Sequence, residues 1–374
     1  MSVTFPPQSF GKPLHQTSSL LNTSGLPEQQ TCSAGCNSDQ NFKCMAYTVT
    51  YCIVFPIAFL CNSVALFVFL RLTRKYSANS VFMINLALSD TVFSLTLPFR
   101  LVYYFRDSEW DFPDWLCRIC VFAFYMNLYT SVLFLTGLSV LRYIAIVHPL
   151  LNRSLVTVKR GVCVCVGIWV GVALLSSPFL MTGTLEREGK TRCFEPGAIT
   201  SWYRILVLNY VALVLGFLLP FTTILGCYGS IMFKLVSRKK RPSRSRQNRQ
   251  RAVYLVTVIL SSLLLCFLPY HLLRSLHLHA VVHRWNCCIT GWLLRMLVIS
   301  LCLAASNSCL NPLMYYFAGE SFRTTVRTTV RSTLRSTSFS SIGQSSWKSR
   351  RKRSQYPLSH IAEGLPEISL RPQD

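Results

Sequence analysis

Seven stretches of this chain, at roughly 47–70, 81–104, 117–147, 161–181, 205–236, 252–278 and 292–317, are apolar over about the 20 residues that a bilayer core demands of a helix. In lipid, every backbone polar group must be satisfied inside the structure, so such stretches can form little other than a bundle of helices. The third and fifth overrun the core, which tilt or an extension accommodates. The reading is an all-α membrane protein: an N-terminal tail at 1–45, a seven-transmembrane helix bundle at 46–316, an amphipathic membrane-surface helix at 317–335 and a disordered tail at 336–374.

Charge sets the orientation. The chain carries 38 Lys and Arg against 14 Asp and Glu, a net charge of +24 that in a soluble protein would point to nucleic acid. Charged residues are only 14% of the chain and hydrophobic ones 51%, which excludes a basic soluble domain. The first, third and fifth connections and the C-terminal tail hold 26 basic residues and four acids, while the opposite side holds 12 and nine. The basic side is expected to be cytosolic, at the plasma membrane, with the N-terminus outside. Asn22-Thr23-Ser24 is then an extracellular glycosylation sequon, and the match at Asn152 falls on the unused side. The first 45 residues contain no apolar targeting core, so the first span is expected to act as the membrane signal.

After the last span, Phe322, Val326, Val330 and Leu334 recur every four residues beside a stripe of Arg323, Arg327, Arg331 and Arg335. That pattern suits a helix lying on anionic lipid. Ser336 to Arg353 is rich in Ser and Arg.

Most of the 16 Cys lie inside spans and read as small packing residues, without metal-ligand spacing. Cys117, which opens the third span, and Cys193, in the loop before the fifth, lie on the oxidising side; a bridge between them would staple that loop over the bundle mouth. Cys36 with Cys287 is a second candidate, although spacing alone does not decide which of Cys32, Cys36 and Cys44 meets Cys287 or Cys288.

The spans carry one motif after another: Asn62; Leu86-Ala-Leu-Ser-Asp90; Trp110-Asp-Phe112 before Cys117; Arg142-Tyr143; Trp169; Pro220 with Tyr228; Cys266-Phe-Leu-Pro269-Tyr270; and Asn311-Pro312-Leu-Met-Tyr315. Over roughly residues 45–335 the chain resembles the rhodopsin-like G-protein-coupled receptors. Within them, Pro98-Phe-Arg100, Tyr104, Tyr125-Met-Asn127-Leu-Tyr129, Cys193-Phe-Glu-Pro196 and Pro269-Tyr-His-Leu-Leu-Arg274 resemble the cysteinyl leukotriene receptors. The end of the fourth span is similar to type 1 and Phe317–Phe322 to type 2, so the resemblance is to both. Leu141 stands where most of the class has an acid, and Phe267 where it has Trp, again as in the leukotriene branch. No Cys follows Cys309 to be palmitoylated.

Polar groups inside a bilayer are costly and mark function. Asp90 with Asn62, Asn127, Ser131, Asn307 and Asn311 is expected to form one network, where the resemblance implies a sodium ion; oxygen ligands suit a hard cation. No other cofactor is expected. The resemblance makes Arg142, Tyr228, Phe267, Pro269 and Tyr315 an activation switch, with Tyr228 and Tyr315 meeting Arg142 in the active state. Near the outer mouth, Arg100, Tyr104, Tyr125, Tyr129, Tyr270, Arg274 and Arg295 are expected to hold a ligand, because guanidinium and phenol suit carboxylates. The resemblance implies a lipid mediator with carboxylates, a q-class G protein acting through phospholipase C and calcium release, and, given the Ser and Thr of the tail, receptor kinases and arrestin. A nucleotide or another acidic lipid is the alternative ligand. A transporter would need paired charges along a through-path, and an intramembrane enzyme a nucleophile beside its His or paired Asp; the spans offer neither.

Overall fold

In the computed structural model, the described residues are 28–73, 75–181, 183–187, 189–194, 199–237, 254, 257–318 and 322–328, with side chains from 40 onward except at 199–201, 235–237, 317 and 318. Seven helices are long and apolar enough to cross a membrane: Gln40–Leu72, Ala78–Phe105, Asp114–Val147, Val158–Met181, Trp202–Lys234, Thr257–Val282 and Cys287–Tyr316. They are called here the first to seventh spans. The first helix begins well before the expected residue 46, at Glu28, since no proline interrupts the chain until Pro56. Asn22 lies outside the described residues.

Local chemistry marks the boundaries. The Ser77 hydroxyl accepts from the Ser80 amide at 3.2 Å and Thr157 accepts from Arg160 at 3.3 Å, capping the second and fourth spans. Pro149 opens a short helix, Pro149–Leu155, where its missing N–H costs nothing. Pro220 and Pro269 each remove an i→i−4 bond. The backbone widens into π-helical stretches just before them, Ala212–Leu218 and Leu263–Phe267. Pro312 lies inside the unbroken seventh helix.

One end of the bundle, here the upper face, is closed by the connection after the fourth span. Two strands, β1 (Leu185–Arg187) and β2 (Lys190–Arg192), pair antiparallel, with Gly189 in the turn at φ +72°. The Cys117–Cys193 disulfide anchors this hairpin to the third span, as expected. Tyr103 Oη donates to Cys193 O at 2.9 Å, and the Trp110 amide donates to Thr191 O at 2.9 Å. On the approach to the hairpin, Asp114 accepts from the Thr184 amide at 2.5 Å and from Arg118 Nε at 2.6 Å. The second expected bridge is not formed: Cys287 is an exposed free thiol. Helix from Glu28 onward keeps the Cys36 backbone on the first helix rather than in a loose tail, and its side chain lies outside the described residues.

At the lower face, residues 322–328 form the described part of the surface helix. Phe322 is buried, its ring 4.9 Å from that of Phe69, and Val326 packs beside it, while Arg327 is exposed. Arg323, expected on the exposed stripe, is half-buried like Val326, so the two-sided pattern is seen only at Phe322 and Arg327; Val330, Arg331, Leu334 and Arg335 lie outside the described residues.

Replacing Cys117 and Cys193 together by Ala should cost about 2–4 kcal/mol of stability through the freed loop. A lowered thermal unfolding midpoint of the membrane-embedded protein is the expected outcome; an unchanged midpoint would show that the hydrogen bonds alone hold the hairpin.

Candidate functional site

Three polar sites line up along the bundle. The central one surrounds Asp90, which is 0% exposed. Asn127 Nδ2 and Ser308 Oγ donate to its Oδ1 at 2.9 and 2.8 Å, and Asn311 Nδ2 donates to Oδ2 at 2.7 Å. Asn127 also reaches Ser89 Oγ at 3.2 Å and Ser131 Oγ at 3.5 Å. Asn62 donates to Ser308 O at 3.0 Å and accepts from Tyr315 Oη at 3.1 Å, tying the first span to the seventh. Ser308, rather than Asn307, is the seventh-span neighbour that bonds the carboxylate; in the sequence it was one more small residue on an apolar helix. Asn307 Oδ1 and Asn311 Oδ1 are buried acceptors that meet no donor. Together with the carboxylate and the Ser131 hydroxyl, they are an oxygen set that fits a hard monovalent cation.

The lower site lies around Arg142. Ser139, one turn above it, places Oγ 2.9 Å from Tyr228 Oη, joining the third span to the fifth. Lys234 Nζ donates to Val147 O at 3.2 Å and reinforces the same seam. Tyr315 is held by Asn62, so Tyr228 and Tyr315 are not brought together at Arg142 in this conformation. Phe267 is fully buried at the π-helical stretch, immediately before Leu268 and Pro269.

The upper site is a cavity of about 510 Å³ beneath the hairpin. Arg100, Tyr104, Tyr125, Tyr270 and Arg274 line it, five of the seven residues expected there. Arg100 is only 6% exposed, and its Nη2 donates to Cys120 O at 2.8 Å. Its guanidinium lies 4.4 Å from the Phe194 ring centroid and 5.1 Å from that of Phe124, while its buried Nε has no hydrogen-bond partner. Phe194 covers Arg100 from a left-handed backbone conformation, φ 71°, next to the bridged Cys193. Arg274 Nη2 donates to Tyr125 Oη at 3.4 Å.

Two expected residues sit elsewhere. Arg295 is not in the cavity wall: Leu294, Leu297, Val298 and Leu301 of its span face inward, and one residue's rotation puts the Arg295 guanidinium over Trp292, 5.8 Å from its centroid. Tyr129 lines a smaller apolar crevice between the third, fourth and fifth spans, about 70 Å³, whose wall also includes Tyr125 and Arg274. The two spaces therefore meet at the Arg274–Tyr125 pair.

The cavity also recruits residues that span-by-span reading missed. Lys43, Arg187 and Arg192 bring its cationic side chains to five, and no described wall residue is acidic. Tyr47 and Tyr51, spaced four apart on one helical face, enclose Tyr104, with Tyr47 at 4.6 Å between centroids. That spacing was a visible signal. The hairpin arginines gave none, because their position depends on how the loop folds back.

Residues 61–315 match the family model described as 7 transmembrane receptor (rhodopsin family). The chain is 40% identical to cysteinyl leukotriene receptor 1 of Cavia porcellus over 292 residues, covering 77% of this chain and 85% of the relative. It is 40% identical to cysteinyl leukotriene receptor 2 of Mus musculus over 285 residues, covering 76% and 91%. Lysophosphatidic acid receptor 6 of Homo sapiens is 33% identical over 347 residues, covering 91% and 95%.

Asp90→Ala should strand the donors of Asn127, Ser308 and Asn311, at about 1–3 kcal/mol for each that finds no new partner. Ser308→Ala removes one donor and leaves two in place, so it should cost less. Thermal unfolding of the two variants in lipid checks the order; equal midpoints would mean that the carboxylate is not the hub.

Proposed function

The chain belongs to the rhodopsin family of seven-transmembrane receptors, a multi-pass plasma-membrane protein and not an enzyme, and from that premise we propose that it is a receptor for cysteinyl leukotrienes. The observation that carries the reading is the cavity wall: five cationic side chains and, among the described residues, no carboxylate. Such a site attracts and orients an anion. Its floor of Tyr and apolar side chains, and the crevice opening at Arg274 and Tyr125, suit an amphiphile whose head is acidic and whose tail is hydrocarbon. The names and identities of the relatives support this class of ligand.

The buried Nε of Arg100 is a donor awaiting an acceptor. A ligand carboxylate near Arg100 and Arg274 would supply one, with Tyr104, Tyr125 and Tyr270 adding hydroxyls. Arg274 belongs to the sixth span, so an anion shared with Arg100 of the second changes the forces between the two. The widened backbone at Leu263–Phe267, next to Pro269, is where the sixth span can bend. Opening at the lower face would free Arg142 for a G protein, with Tyr228 and Tyr315 released from Ser139 and Asn62 to meet it. A sodium ion, if bound by Asp90 with Ser131, Asn127, Asn307 and Asn311, supplies positive charge that offsets the carboxylate in the resting state.

The excess of Lys and Arg at the lower face supports a cytosolic position for that end, with the N-terminus outside. It also suits anionic lipid and coupling to a q-class G protein, leading to phospholipase C and calcium release. Receptor kinases and arrestin would act on the Ser and Thr of the tail.

A phosphate-bearing lipid is the second reading. Guanidinium groups such as Arg100 and Arg274 also suit phosphate, and a relative named for lysophosphatidic acid is similar over nearly the whole chain.

Cells expressing the protein should release calcium in response to leukotrienes C4, D4 or E4. A charge-assisted hydrogen bond is worth about 1.5–3 kcal/mol, so Arg100→Ala and Arg274→Ala should each raise the half-maximal concentration roughly 10- to 150-fold. Silence to all three leukotrienes at normal surface expression, with a response to lysophosphatidic acid, would replace the first reading by the second.

A further inference from the structure

At the upper end of the sixth span, outside both cavities, two histidines stand one helical turn apart. His279 and His283 are spaced i,i+4, which puts both rings on one helix face, and their centroids lie 4.1 Å apart. His279 Nδ1 is 3.2 Å from the hydroxyl of Tyr210, on the fifth span. We propose that His279 and His283 form a binding site for a divalent cation of the zinc class, with Tyr210 as the positioning residue that orients the first ligand.

The chemistry follows from the geometry. Two imidazoles at this spacing can chelate one metal ion, the same spacing that places two ligands on one face in helical zinc motifs. With its proton on Nδ1, His279 donates to Tyr210 Oη and leaves the Nε2 lone pair free for a metal. A hydrogen bond to the non-ligating nitrogen both selects the tautomer and fixes the ring, as metal-binding histidines commonly require. His283 is exposed just past the end of the sixth span, and His279 lies half-buried one turn below it, so an ion can enter from the upper face. Imidazole ligands favour Zn²⁺, Ni²⁺ and Cu²⁺ over Ca²⁺ and Mg²⁺. Among the described residues no third His, Cys, Asp or Glu joins the pair. Water would complete the coordination, and Arg284, next in the chain to His283, weakens the attraction. These features describe a low-affinity modulatory site rather than a structural one. Because Tyr210 lies on the fifth span, a metal there couples the fifth and sixth spans at their upper ends.

His277 is the internal control. It lines the large cavity and stacks on Trp202, 6.4 Å between centroids, on a different face of the same helix. Its loss should leave metal binding unchanged.

Zn²⁺ titrated into the purified full-length receptor in lipid nanodiscs, in competition with a chromophoric chelator, tests the site. The expected result is one Zn²⁺ per receptor in the micromolar range and no displacement by millimolar Ca²⁺. His279→Gln and His283→Gln should each weaken it at least tenfold, and Tyr210→Phe by about tenfold, the usual effect of losing such an orienting partner. Zn²⁺ should raise the unfolding midpoint of the wild type but not of His279→Gln, whose metal-free midpoint serves as the folding check. Unchanged binding in the double His variant would overturn the proposal. So would loss of binding in Cys287→Ser with Cys288→Ser, which would transfer the site to the exposed thiols.

Discussion

A carboxylate in the middle of a bilayer persists only if its neighbours make the hydrogen bonds that water would have made. Asp90 meets that condition through Asn127 of the third span and Ser308 and Asn311 of the seventh. Asn62 extends the same network to the first span through Ser308 and Tyr315. Lipid offers no hydrophobic force between apolar helices, so polar contacts of this kind select which helices meet and in what register. The hub thus holds four spans, the first, second, third and seventh. Among the described residues, no side chain of the fifth or sixth span, whose backbones widen before Pro220 and Pro269, hydrogen-bonds into it.

That division has a functional meaning. The spans tied together by the Asp90 hub present Arg100 to the cavity, while the sixth span, outside the hub, presents Arg274. At the lower face, Tyr228 of the fifth span meets the third at Ser139, and Lys234 meets it at Val147 O. Under the proposed function, a ligand bridging the two parts at the top would act on the seam whose bottom end holds Arg142. Two of the five cations come from a third structure, the hairpin fixed by Cys117–Cys193, which brings Arg187 and Arg192 to the cavity.

Much of this was legible in the sequence, for definite reasons. Hydropathy over about 20 residues identifies a span, and depth along the span identifies an intramembrane Asp90 or Arg100 as costly. Rotation about the helix axis is harder to read. Arg295 lies at the right depth but points toward Trp292, and Ser308 rather than its neighbour Asn307 reaches the carboxylate. Contributions from non-helical segments were beyond reach: Arg187 and Arg192 line the cavity only because of the hairpin register and the anchor at Cys193. The prolines at 220 and 269 were plain in the sequence, though the π-helical widening before each was not, since Pro98 and Pro312 lie in unbroken α-helix.

The central claim is that the cationic cavity recognises the negative charge of an amphiphile. The most direct measurement compares the affinity of a cysteinyl leukotriene with that of its uncharged carboxyl esters, by competition against a radiolabelled acidic ligand on membranes bearing the wild-type receptor. The account predicts that esterification weakens binding at least tenfold, about 1.4 kcal/mol or more. Equal affinity of acid and ester would contradict it and leave the five basic side chains without a role in ligand recognition.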